Sequence, residues 1–136
     1  MPYCCPETIQ QFLRRYGWTF KRVNHHHVQT GWSHKGKIYN LDVHLTDTFI
    51  CFQVKIVQLI ESLDRKLWLK TTKHLLSLND RVRFIRISID SNLHVCASVE
   101  ILRKGFTFHH LEHTLGILAY YTERIETDLK GGLKIE

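Results

Sequence analysis

The stretch IYNLDVHLTDTFICFQVKIV, Ile38 to Val57, decides the fold class. In its first half Tyr39, Leu41, Val43 and Leu45 fall on one face, and Asn40, Asp42 and His44 fall on the other. Strict apolar and polar alternation is the pattern of a strand with one buried face. Thr46 and Asp47 supply a tight turn, after which Ile50, Phe52, Val54 and Ile56 alternate with Gln53 and Lys55. The two runs predict an antiparallel hairpin with one side packed on a core.

Toward the N-terminus, Trp18 to Val23 and Val28 to Ser33 carry enough aromatic and β-branched residues for two short strands before the turn Lys35, Gly36, Lys37. A helix from Pro6 to Tyr16 precedes them. Proline suits its first position, Ile9, Phe12, Leu13 and Tyr16 form its stripe, and Gly17 suits a left-handed cap. Toward the C-terminus the period changes between Glu61 and Asn79, where Leu69, Leu75, Leu76 and Leu78 predict a middle helix ending near Asn79. Val82 to Ile89 and Leu93 to Val99 then form a second hairpin around Asp90, Ser91 and Asn92.

The last element is a long helix from Thr107 to Leu129, with Phe108, Leu111, Leu115, Leu118, Ile125 and Leu129 on one side and Gly131-Gly132 as its terminator. The order α-β(β)-ββ-α-ββ-α defines an α+β domain with helices on one face of an antiparallel sheet.

The chain of 136 residues and 16.2 kDa fits one domain spanning 1–136. Apolar residues make up 43% and charged residues 24%, which is ordinary globular usage and excludes a disordered or fibrous chain. The longest apolar run, Leu115 to Tyr121, is far short of the ~20 residues that span a bilayer, so no membrane anchor is expected. No basic segment followed by an apolar one opens the chain, which places the protein in the cytoplasm. Cys4, Cys5, Cys51 and Cys96 form no CxxC pair and are expected as free thiols, with Cys51 and Cys96 inside strands and Cys4 and Cys5 exposed. The net charge is +6, but the cations stand in ones and twos, as a solvated basic surface does.

Ten histidines raise a metal hypothesis. His109, Glu112 and His113 match the H-x-x-E-H pattern of inverted zinc peptidases. On a helix, however, His109 and His113 fall opposite the Phe108, Leu111, Leu115 stripe, away from any dry cavity, and read as a solvated or interface face. His25, His26 and His27 place His25 and His27 on one side of a strand, and read as a polar strand end or loop. Cys96 and His94 share a strand face without a third orienting group. No nucleophile elbow, Walker loop or dinucleotide fingerprint occurs, so the expectation is a non-enzyme with no metal site and no cofactor.

Trp18, Phe20, Trp32, Tyr39 and Trp68 are the candidate partner-binding residues, since flat aromatics among Arg and Lys serve peptide docking or nucleic-acid stacking as well as a core.

The segments IQQFLRRYGW, Ile9 to Trp18, and KHLLSLNDRVRFIRISID, Lys73 to Asp90, with the final long helix, resemble the YbjN-type family, whose fold is shared with type III secretion chaperones. The most telling piece is a helix ending in Leu78-Asn79, followed by a hairpin and a long amphipathic helix. The chain looks most like small cyanobacterial members, some of which resemble chaperones for carboxysome shell assembly. The resemblance implies a small, homodimeric, non-catalytic adaptor that holds a segment of a client protein. Its client would then be a carboxysome shell protein. The basic charge departs from the secretion chaperones, which tend to be acidic. The alternative is a basic nucleic-acid-binding module in which Arg14, Arg15, Lys21 and Arg22 neutralise phosphate.

Overall fold

The computed structural model describes residues 4–59, 65–82 and 84–133. Helix α1 (Pro6–Tyr16) is followed by strands β1 (Lys21–Asn24), β2 (His27–His34), β3 (Lys37–Leu45) and β4 (Phe49–Gln58). Helix α2 (Arg65–Arg81), strands β5 (Arg86–Ile89) and β6 (His94–Leu102), and helix α3 (Phe108–Leu133) complete the chain. The six strands form one antiparallel sheet in the order β1-β2-β3-β4-β6-β5. Helix α1 packs against β2, α2 against β5, and α3 against β4 and β6. This is the expected α+β layout with its helices on one face.

The alternation in β3 and β4 dictates the core. Tyr39, Leu41, Val43 and Leu45 are buried with Ile50, Phe52, Val54 and Ile56, and the α3 stripe Leu111, Leu115, Leu118, Ile125 and Leu129 closes over them. Helix α1 starts at Pro6 and ends on Gly17, whose φ of 96° gives the left-handed cap, its N–H bonded to Leu13 and Arg14 carbonyls.

Several expectations change. The segment Trp18 to Phe20 is not strand: β1 begins at Lys21, and Thr30 Oγ1 donates to the Thr19 carbonyl at 2.7 Å to tie the segment to β2. The fifth strand begins at Arg86 rather than Val82, because α2 runs on to Arg81 and Phe84 takes a φ of 75° that no strand accommodates. The expected start of the middle helix near Glu61 lies outside the described residues. Helix α3 continues through Gly131 and Gly132 to Leu133, so the glycine pair does not terminate it.

Leu69 and Leu76 face outward, at 58% and 65% exposure, while Thr71, Leu75 and Leu78 form the buried stripe of α2. Cys4 is buried, its N–H bonded to the Arg103 carbonyl at 3.2 Å and its own carbonyl accepting from Arg103 Nε at 2.9 Å, so it is not the exposed thiol expected.

Candidate functional site: an aromatic cleft at an open sheet edge

The two outer edges of the sheet differ. At the β5 edge, Asn79 at the end of α2 reaches the strand and makes two bonds to one residue. Its Nδ2 donates to the Ile87 carbonyl at 2.8 Å, and its Oδ1 accepts from the Ile87 N–H at 2.7 Å. A side-chain amide thus occupies the backbone groups a further strand would use.

At the opposite edge, β1 pairs with only the first part of β2, from His27 to Gln29, while β2 runs on to His34. Among the described residues no strand pairs with the outer side of Thr30–His34. A cleft of about 710 Å³ opens there, lined by Trp18, Phe20, Trp32, Ile38, Asn40 and the backbone around Gly31.

The cleft is built on an aromatic ladder. Tyr16 meets Trp18 edge-on with ring centroids 5.3 Å apart, Trp18 stacks on Trp32 at 5.6 Å, and Trp32 stacks on Tyr39 at 5.1 Å. Strand register sets the last step, since Trp32 is paired with Tyr39 across β2 and β3. Below it the Tyr39 hydroxyl and Lys37 Nζ both bond to Glu126 of α3, a buried carboxylate that fixes the ladder to the helix layer. Burial, and then the nearby Glu123 charge, push the Tyr39 phenol up from its ordinary value, so it stays a neutral donor. Gly31 is required at the floor of the cleft, because a Cβ there would stand 2.3 Å from the Tyr39 carbonyl oxygen. Among the described residues the buried Trp32 indole N–H has no hydrogen-bond partner.

Of the five candidate aromatics, Trp18, Phe20 and Trp32 line this cleft, and Tyr39 lies buried beneath Trp32 as the base of the ladder. Trp68 is on α2, half-buried against the core, and does not line the cleft. Near it on α2, Leu69 and Leu76 are exposed, and Leu76 joins Ile87 and Ile89 of β5 around a smaller apolar groove.

Three of the four candidate phosphate-binding cations have partners within the chain. Arg22 is paired with Glu7 at 2.7 Å, holding that carboxyl down at about 2, while Arg14 lies over Phe20 and Arg15 over Phe108. His109 is 88% exposed beside Glu112 at 3.6 Å, whereas His113 stacks on Phe84, so the H-x-x-E-H residues do not converge. The His94 ring bonds to Asp90, the Cys96 thiol donates to the His94 carbonyl at 3.6 Å, and burial pushes that thiol up to about 11.

No family model matches the sequence, and no curated protein is significantly similar to it. The solved structures do match, and they define the class: an α+β domain of the type III secretion chaperone-like fold. YbjN from E. coli is similar with a TM-score of 0.71 at 13% identity, over 98% of each chain. The heterodimeric ExoU–SpcU complex from the type III secretion system of Pseudomonas aeruginosa matches at 0.60 and 14% identity, over 87% of this chain and 94% of that one. The ExsC–ExsE complex matches at 0.54 and 16%, over 85% and 86%. At such identities the likeness is one of fold. Among the described residues, no helix is long and apolar enough to cross a membrane.

Proposed function

We propose that this chain is a non-catalytic, chaperone-like adaptor that captures an extended segment of a client protein along the outer edge of β2. The observation that carries this reading is the coincidence of an unpaired strand edge with an aromatic cleft at Thr30–His34. Main-chain hydrogen bonds along such an edge supply affinity, and pockets beside it select side chains. Two of the similar folds come from complexes of two different proteins, ExoU–SpcU and ExsC–ExsE, which supports protein capture here. The client of first choice in this reading is a carboxysome shell protein, on the sequence resemblance alone.

A homodimer belongs to the same reading. The helix-free sheet face carries Gln29, Asn40, Asp42, His44 and Gln53, with Ile38, Phe49 and Leu102 exposed at strand ends of the same face. A separate exposed apolar patch is formed by Leu69 and Leu76 on α2 with Ile89 on β5, and a second copy laid against α2 would cover it.

The test is capture from nuclease-treated lysate at low and high salt, with wild type and a Trp18→Ala, Phe20→Ser variant side by side. A dominant protein that resists salt and is lost by the variant is expected. Binding that collapses with salt or nuclease, and survives in the variant, would instead favour the nucleic-acid reading.

A further inference from the structure

The helix-free face of the sheet carries a cluster that the capture reading does not use. His27 on β2 is paired directly with His44 on β3, and Asp42 lies two residues before His44 on the same face. The two imidazoles stack with centroids 4.1 Å apart, and His27 Nε2 bonds to Asp42 Oδ1 at 2.7 Å. One donor atom from each of the three residues lies within 4.8 Å of the other two.

We propose that His27, Asp42 and His44 form a binding site for a divalent transition-metal ion of the zinc class. Three features of the cluster support it. Two imidazoles and a carboxylate are the donor set that zinc takes, with ligand bonds of about 2.0–2.2 Å. Donors that share one ion in tetrahedral geometry stand about 3.4 Å apart, so closing the present spread needs side-chain rotation on a rigid pair of strands and no backbone movement. An outer partner is already in place: Gln29 Nε2 donates to Asp42 Oδ1 at 3.1 Å and orients the carboxylate.

The ion would take the place of the His27–Asp42 hydrogen bond, with the carboxylate offsetting part of its +2 charge. Three protein ligands leave a fourth position open toward solvent.

The experiment is titration of the purified full chain with ZnCl₂ by calorimetry, with CoCl₂ absorption as a second readout of coordination geometry. One ion per chain and a tetrahedral cobalt spectrum are expected. Asp42→Asn and His44→Gln should each weaken zinc binding by about tenfold or more, and zinc should raise Tm in the wild type more than in either variant. A His25→Gln, His26→Gln double variant, which leaves the site intact, should bind as the wild type does. No saturable binding by the wild type, or binding abolished by the His25, His26 change and untouched by His44→Gln, would overturn the proposal. Should either site variant fail to fold by circular dichroism, the wild-type cobalt spectrum together with the His25, His26 variant decides the question.

Discussion

Asn79→Ala should be among the most destabilising single changes outside the apolar core. The Asn79 side chain satisfies both the N–H and the carbonyl of Ile87, whose own side chain is buried beneath α2. Truncation removes two hydrogen bonds worth about 1 kcal/mol each and leaves partly desolvated backbone groups, for a total of roughly 2–3 kcal/mol. At about 4 °C per kcal/mol for a domain of this size, Tm should fall by roughly 8–12 °C. Asn79→Asp is the sharper control. It keeps the acceptor for the Ile87 N–H but sets an oxygen against the Ile87 carbonyl, so it should cost no less than alanine. Urea denaturation of the three proteins measures the energies, and hydrogen exchange at the Ile87 amide reports the local opening. A loss below about 0.5 kcal/mol for Asn79→Ala, or full retention by Asn79→Asp, would refute the argument that one amide closes this edge.

Gly31→Ala forces a Cβ onto the Tyr39 carbonyl, which is backbone and cannot swing aside; a cost of about 1–3 kcal/mol is expected, together with altered tryptophan fluorescence from the displaced ladder, and an unchanged melt would contradict it. Asp90 at the β5–β6 turn is pushed up by burial, but the N–H groups of His94 and Asn92 outweigh this and hold its pKa below the ordinary carboxyl value. A folded-state pKa lowered in this way gives stability that is complete above the unfolded value, about 3.9, and lost as pH falls through the folded one. Asp90→Asn should therefore flatten the acid limb of the urea midpoint against pH, and parallel curves for the two proteins would sink the claim. Burial holds the Cys4 and Cys96 thiols up at about 12 and 11, so both should react slowest with a disulfide reagent at neutral pH; equal rates at all four cysteines, mapped by peptide, would count against the packing described.

The parts of this fold legible in the sequence are those fixed by local period. The α1 boundaries, the faces of β3 and β4 and the α3 stripe all follow from residues that sit side by side in the chain. What sequence reading missed depends on partners far along it. Leu69 and Leu76 belong to the same apolar pattern as Leu75 and Leu78, and only the packing of α2 on β5 determines which of them turn inward. Asn79 reads as a helix end, whereas its role is to close a strand edge. His44 and Asp42 were visible as one face of a strand, but bringing His27 onto them takes the β2–β3 register, which no local pattern fixes. Trp18, Phe20 and Trp32 were legible as a set because they crowd one loop and one strand; Trp68 shares only their chemistry.

The asymmetry of the two edges also bears on how a sheet with an exposed strand avoids pairing with itself. A long, flat, apolar edge templates aggregation, and natural sheets counter this with short edges and charge. The β5 edge is closed from within by Asn79. The β2 edge is open only over Thr30–His34, between the β1 pairing and the turn at Lys35 and Gly36, whose positive φ values reverse the chain sharply. Lys21 lines the cleft at one end of the open stretch, and Lys35 follows it at the other. So short an edge gives few main-chain hydrogen bonds, too few to hold a partner by backbone alone. A bound segment must add apolar side chains that fill the space against Trp18, Phe20 and Trp32, and an arbitrary strand lacks them. On the proposed capture reading, selectivity in this cleft comes from the aromatic ladder and the strand edge acting together, and removing either should abolish capture rather than halve it.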